Sequence, residues 1–224
     1  MKKTVLIAGA SGLVGGHLLD LLLDDNSFDS VCSLVRKSSG KEHPKLEERI
    51  FDFNNEESYS NIPNVDQAFC CLGSTIKKAG SQKAFKKVDF HFPLQLAKAL
   101  KVNDCKSYHV VTALGADAQS SIFYNQVKGE LEKELQALQF QSLNIYQPSL
   151  LLGNRKEKRF GEKLAMTFMP PLECLLQGKL KKYRSIQAND VAKGMLAVAK
   201  NKHIKYQTIE SNEIKELANS LINN

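Results

Sequence analysis

No stretch of this 224-residue chain approaches the roughly 18 consecutive apolar residues that a membrane-spanning helix needs. The apolar residues between Thr4 and Gly9 are too few for a secretory leader. C-x-x-C spacing is also missing. The five cysteines (Cys32, Cys70, Cys71, Cys105 and Cys174) are odd in number, and adjacent Cys70 and Cys71 would face opposite sides of a strand. Neither a metal site nor a disulfide framework is expected, and the thiols read as buried and reduced. There is no internal repeat, low-complexity segment or linker. The charge balance is positive, 31 basic against 24 acidic residues, giving +7 and a pI near 9.1. Its mild clusters (Lys77-Lys78, Lys83–Lys87, Arg155–Arg159, Lys179–Arg184) lack the interleaved aromatics of RNA-binding motifs, so no nucleic-acid partner is expected. These absences predict a cytoplasmic protein with no membrane contact.

What is present is a hydrophobic content of 42%, enough for one domain spanning 1–224 with a large core. Apolar runs alternate in kind. Thr4–Ala8, Val31–Val35, Ile50-Phe51, Ala68–Leu72, Tyr108–Thr112 and Leu143–Tyr146 read as strands. Leu13–Leu23, 84–101 and 122–138 read as helices. Parallel strands need helical crossovers, so this order predicts an α/β fold with a doubly wound parallel sheet. Beyond Leu152 the chain becomes basic and irregular, with a helix begun near Phe160 broken by Pro170-Pro171. A helix at 189–200, a strand at 206–210 and a last helix with Ser211 as N-cap follow. Residues 153–224 are expected to form a small substrate lobe.

The first strand runs into Gly9-Ala10-Ser11-Gly12-Leu13-Val14-Gly15, a G-x-x-G-x-x-G series opening a helix. Glycines there permit a tight turn and close approach of a pyrophosphate to free helix N–H groups. Gly9, Ser11, Gly12, Leu13, Val14 and Gly15 are therefore candidate dinucleotide-binding residues. NAD-binding folds commonly place a carboxylate after the second strand, to bond the ribose 2′-hydroxyl. Here that carboxylate is absent, and Arg36-Lys37 stands in its place. A charge-assisted bond to a 2′-phosphate is worth about 1.5–3 kcal/mol, so NADP(H) is the expected cofactor. Asp52, with Phe53 beside it after the third strand, is a candidate contact to the adenine.

Tyr124-Asn125-Gln126-Val127-Lys128 sets a phenol and an ammonium at i and i+4 on one helix face. A cation beside a phenol favours the phenolate, a group able to exchange protons in catalysis. Together the glycine turn and the Y-x-x-x-K pair resemble the short-chain dehydrogenase/reductase superfamily, in its atypical branch. Further stretches are similar to the Tat-interacting-protein-like oxidoreductases: Phe69–Thr75, Lys78–Ser81, Val88-Asp89, Gly115–Asp117, Tyr124–Glu130, Pro148–Gly153 and Arg155. The likeness runs from residue 5 to about 162 and loosens beyond. It implies a Rossmann fold, with Tyr124 as proton donor and Lys128 lowering its pKa while holding the nicotinamide ribose. Leu72 and Gly73 would line the cofactor, and the backbone from Pro148 to Leu150 would face the nicotinamide. Asp89 lies where many relatives have asparagine.

One hydroxyl is missing. The superfamily usually supplies a serine about a dozen residues before the tyrosine, where this chain has Thr112-Ala113. Thr112 must take that role or leave it empty, and loss of one such donor costs about 10²–10³ in rate. Gln147 stands before Pro148 where arginine is frequent. Two functions follow: an NADP(H)-dependent oxidoreductase acting on a small carbonyl or alcohol, or an NADPH-binding regulator that contacts a protein partner with little catalysis. The charged surface of the 122–138 helix favours a monomer.

Overall fold

The computed structural model describes residues 3–153, 176–201 and 204–221. The first half runs β1 (Lys3–Ala8), α1 (Leu13–Asp24), β2 (Phe28–Val35), β3 (Leu46–Ile50), α2 (Glu56–Ser60), β4 (Gln67–Cys70), α3 (Ile76–Ala79), α4 (Gln82–Lys86) and α5 (Phe92–Val102). Then come β5 (Ser107–Val111), α6 (Phe123–Ala137), β6 (Ser142–Gln147), the two-residue strands β7 (Leu151–Leu152) and β8 (Ile186–Gln187), α7 (Ala188–Lys200), β9 (Tyr206–Glu210) and α8 (Ser211–Ser220). Seven strands form one parallel sheet in the order β3-β2-β1-β4-β5-β6-β9, while β7 and β8 make a separate ribbon. The direction of winding reverses between β1 and β4, which opens a crevice at the carboxyl ends of those two strands.

Because side chains alternate along a strand, the sheet feeds two cores. Leu6, Ala8, Leu34, Cys70, Val110 and Ile145 pack with Leu96 and Leu100 of α5 and Leu131 and Leu135 of α6. On the other face Val5, Ile7, Val31, Phe69 and Tyr146 meet Leu18 and Leu22 of α1, Val191 and Met195 of α7, and Ile214 of α8. The expected doubly wound Rossmann architecture is what the chain adopts. Cys70 joins the first core and Cys71 packs against the second, opposite faces as expected. Burial pushes the Cys32 thiol up to about 11 and that of Cys105 up to about 12, so both are protonated and inert.

Three details differ from the sequence reading. The third strand lies at 46–50 rather than 50–51, because an edge strand reading Leu-Glu-Glu-Arg-Ile buries little and shows a weak apolar pattern. The helix expected over 84–101 is interrupted by a π-helical turn, Lys87–His91. Pro93 in the first turn of α5 has no N–H with which to continue an α-helical ladder across this junction. Ser211 is not an N-cap: β9 passes directly into α8, and Glu210 caps it in a reciprocal box with Glu213. Among the described residues of 153–224, β9 completes the main sheet and α7 and α8 cover one face, while β8, paired with β7, and the 3₁₀ turn Gly178–Tyr183 stand off it. Arg155, the 155–159 basic cluster, the helix near Phe160, Pro170-Pro171 and Cys174 lie outside the described residues.

Packing is tight at the start of α1. A Cβ on Gly15 would stand 2.2 Å from the Gly9 carbonyl oxygen, a backbone atom that cannot step aside alone. Gly15→Ala is expected to lower stability by about 1–3 kcal/mol, as overpacked sites do. An unchanged denaturation midpoint would show that the turn is looser than described.

Candidate functional site

The sheet register brings the scattered candidates to one edge. Ala8 pairs with Leu34 on one side and Cys70 on the other; Cys70 pairs with Val110, and Tyr146 with Val111 and Ile209. Every segment that leaves a strand beyond these levels therefore emerges at the carboxyl edge. They are Gly9–Gly15, Arg36-Lys37, Leu72-Gly73, Thr112-Ala113 and Pro148–Leu150.

At the reversal point Gly9 has φ +90°, and a Cβ there would fall 2.6 Å from the Cys71 carbonyl. Only glycine allows the two loops to meet this closely. The Gly9 carbonyl accepts from Gly12 N–H at 2.9 Å, and Gly12 caps α1 without a side-chain bond or an acidic residue in the first turn. The first-turn N–H groups around Leu13 and Val14 are thus left for an anion, and Ser11 is exposed beside them. Arg36 and Lys37 are exposed and form no ion pair among the described residues. Asp52 is exposed too. Its Oδ1 accepts from the backbone and side chain of Asn54, both at 2.9 Å, which holds the carboxyl below its ordinary range. Phe53 has its ring in the core, edge-on to Phe51 with centroids 4.7 Å apart, so only its backbone remains for a ligand.

On α6, Tyr124 is half-buried, its ring tilted 34° to that of Phe85 with centroids 5.4 Å apart. One turn on, Lys128 is buried and its Nζ lies 2.8 Å from Asp89 Oδ1, with side-chain exposures of 4% and 1%. Asp89 sits in the π-helical turn, and its Oδ2 accepts from Ser74 N–H at 2.9 Å. One carboxylate therefore joins α6 to the loop carrying Leu72 and Gly73. Burial disfavours the Lys128 charge, but the adjacent Asp89 carboxylate and the Tyr124 phenol together outweigh it, and the ammonium sits above its ordinary value.

Thr112 is bonded internally. Its hydroxyl donates to Glu132 Oε1 at 2.5 Å and reaches the Tyr146 carbonyl at 3.3 Å, so its proton is committed away from any substrate. Ala113 has no hydroxyl to offer. Glu132 is the residue the sequence reading missed, although it lies four residues beyond Lys128 and so shares the Tyr124 and Lys128 helix face. It is buried, accepts from Gln147 Nε2 at 3.0 Å on both oxygens, and has no ion pair among the described residues. Burial pushes its carboxyl above the ordinary range, against the bonds from Thr112 and Gln147. Pro148 accepts from Leu114 N–H at 3.0 Å, and Leu150 from Ile186 N–H at 3.0 Å. Among the described residues no group of three or more His, Cys, Asp or Glu could hold a metal ion.

Two outcomes follow from the buried carboxylates. Asp89→Ala leaves a buried ammonium without its counter-charge and should cost about 3–5 kcal/mol in urea unfolding, with Asp89→Leu/Lys128→Met recovering much of it. Equal losses from the single and double variants would exclude the coupling. The raised Glu132 carboxyl adds stability that is full below the unfolded value near 4.3 and is lost as pH climbs through the folded value. Glu132→Gln should therefore raise the melting temperature more at pH 8 than at pH 5, and a pH-independent change would contradict this.

Comparison with known proteins gives the family and the fold. The HIM1 family profile matches residues 31–179, about two thirds of the chain. Rat protein HTATIP2 is 37% identical over 175 residues, covering 76% of this chain and 72% of its own. Protein FMP52, mitochondrial, of Eremothecium gossypii is 33% identical over 221 residues, covering 95% and 96%. Among solved structures, the Bordetella bronchiseptica enzyme WbmH in complex with NAD+ superposes with a TM-score of 0.69 at 17% identity, covering 100% of this chain and 81% of that one, a likeness of fold. The mitochondrial designation of FMP52 overturns the cytoplasmic expectation. The cytoplasmic expectation rested on the length of apolar runs, and mitochondrial addresses are amphipathic and arginine-rich, not apolar. No described helix is long and apolar enough to cross a membrane.

Proposed function

The chain belongs to the HIM1 family, and from that footing we propose that it is an NADP(H)-dependent oxidoreductase of the short-chain type, acting on a small carbonyl or alcohol. The observation that carries this reading is the Tyr124 and Lys128 face, anchored by Asp89 at the same sheet edge as the glycine turn. The cofactor fits the residues present. Gly9 and Gly15 let the turn close against Cys71 and against itself where a Cβ would clash, the N-terminus of α1 offers unpaired N–H groups, and among the described residues Arg36 has no carboxylate competing for it. When bound, the nicotinamide supplies or accepts the hydride.

The chain's own residues do the rest. Tyr124 exchanges a proton with the substrate oxygen, and the Lys128 ammonium orients the ribose. Asp89 holds Lys128 in place while Ser74 holds Asp89. Arg36, with Lys37 beside it, pairs with the 2′-phosphate, whereas the Asp52 and Phe53 backbone borders the adenine. Leu72, Gly73, Pro148 and Leu150 line the remaining wall. One domain spans the chain, the β7–β8 ribbon belongs to the substrate lobe, and the protein acts as a monomer.

A second reading is favoured by one observation. Thr112 is bonded to Glu132 and Ala113 lacks a hydroxyl, so the usual donor to the reacting oxygen is missing. An NADPH-binding regulator with little catalysis, acting on a protein partner, accommodates this. Under the enzyme reading, Tyr124→Phe cuts NADPH oxidation by about 10²–10⁴-fold without loss of NADPH affinity, and Ala113→Ser raises turnover. Calorimetric titration should give NADPH binding about 10–100-fold tighter than NADH, with Arg36→Glu removing the difference. Equal affinities would end the NADP(H) assignment, and turnover indifferent to Tyr124→Phe would favour the regulator.

A further inference from the structure

We infer that the substrate carries an oxyanion, a carboxylate or a phosphate, and that Arg184 binds it; this rests on the oxidoreductase reading above. Arg184 follows the 3₁₀ turn Gly178–Tyr183 and donates its backbone N–H to the Lys181 carbonyl at 3.1 Å. Its own carbonyl accepts from the hydroxyl of Ser149, the residue after Pro148. That hydroxyl also lies 2.9 Å from the Ser211 hydroxyl at the start of α8, and Ile186 N–H bonds to Leu150. The β7–β8 ribbon so anchored continues to Gly153, where a Cβ would stand 3.0 Å from the Leu13 side chain on the glycine turn. Arg184 is thus attached at the carboxyl edge of β6 and β9, on the wall that runs from Pro148 to the start of α1.

Among the described residues no side-chain partner of its guanidinium is found. Nε is buried without an acceptor, and the side chain forms no ion pair among the described residues. Neighbouring charges make the contrast plain. Lys182 is answered by Glu210 at 2.8 Å, whereas Lys179 and Lys181 are exposed and add positive potential without satisfying Arg184. A buried donor on a charged group is costly to leave unpaired, and proteins ordinarily supply its acceptor from within. Here the acceptor is to come from the ligand. A planar guanidinium fork matches a carboxylate or phosphate in two parallel bonds, with a specificity that a lysine cannot reproduce. Arg184 would therefore select an anionic carbonyl compound over a neutral one and hold it by the end remote from the reacting oxygen.

The test uses the full chain saturated with NADPH and two matched pairs of aldehydes: 4-carboxybenzaldehyde with its methyl ester, and glyceraldehyde 3-phosphate with glyceraldehyde. The anionic member of at least one pair should show a kcat/KM higher by about 10–100-fold, mainly through KM. The pair that shows it identifies carboxylate or phosphate. Arg184→Gln should erase the preference, Arg184→Lys should keep part of it, and NADPH affinity should be unchanged in both. Equal use of charged and neutral aldehydes, or a preference that survives Arg184→Gln, overturns the inference. If no aldehyde is turned over, the oxidoreductase reading fails by itself, and calorimetric titration of the NADPH-loaded protein with benzoate and inorganic phosphate decides the anion site. Binding lost in Arg184→Gln upholds it, and absence of binding to the wild-type chain refutes it.

Discussion

A buried ammonium and a buried carboxylate 2.8 Å apart hold the candidate site together. Lys128 alone at that depth would be driven toward neutrality, and Asp89 alone would be driven toward protonation. Each keeps the other charged, and the second oxygen of Asp89 is occupied by Ser74 N–H. The pair therefore ties the π-helical turn, α6 and the loop after β4 into one unit. The irregularity at 87–91 has a clear result in this arrangement, since it carries Asp89 into contact with Lys128. Single π-helical turns inside α-helices occur often at functional positions.

Around that pair the sheet acts as a jig. Parallel pairing sets Ala8, Leu34, Cys70 and Val110 at a common level, so residues distant in sequence leave the sheet side by side. The reversal of winding between β1 and β4 then opens a crevice at the carboxyl edge, floored where Gly9 nearly touches Cys71. Both cores support this edge, one through α5 and α6, the other through α1 and α7. Stability and site geometry are consequently hard to separate in the first turn of α1.

Not every polar group near the site serves the chemistry. Thr112 stands one residue before the position of the missing hydroxyl, yet its bond to Glu132 turns it into part of an internal polar cluster with Gln147. Glu132 has hydrogen bonds but no ion pair among the described residues, and burial leaves its carboxyl easier to protonate than usual. A cluster of this kind adds specificity to how α6 meets the ends of β5 and β6, and it engages the threonine hydroxyl internally.

Much was legible before any coordinates. The glycine turn, the strand and helix alternation, the i, i+4 pairing of Tyr124 and Lys128, and the lack of a carboxylate after the second strand are local patterns, set by steric and periodic rules within a few residues. They determined the fold class and the outline of the cofactor edge. The partners of buried charges could not be read in this way. Asp89 lies 39 residues before Lys128 in sequence, Thr112 lies 20 before Glu132, and Ser149 lies 35 before Arg184. Which of those groups meet, and which guanidinium is left without an acceptor, is decided only when the sheet brings distant loops to one edge and water is excluded from between them.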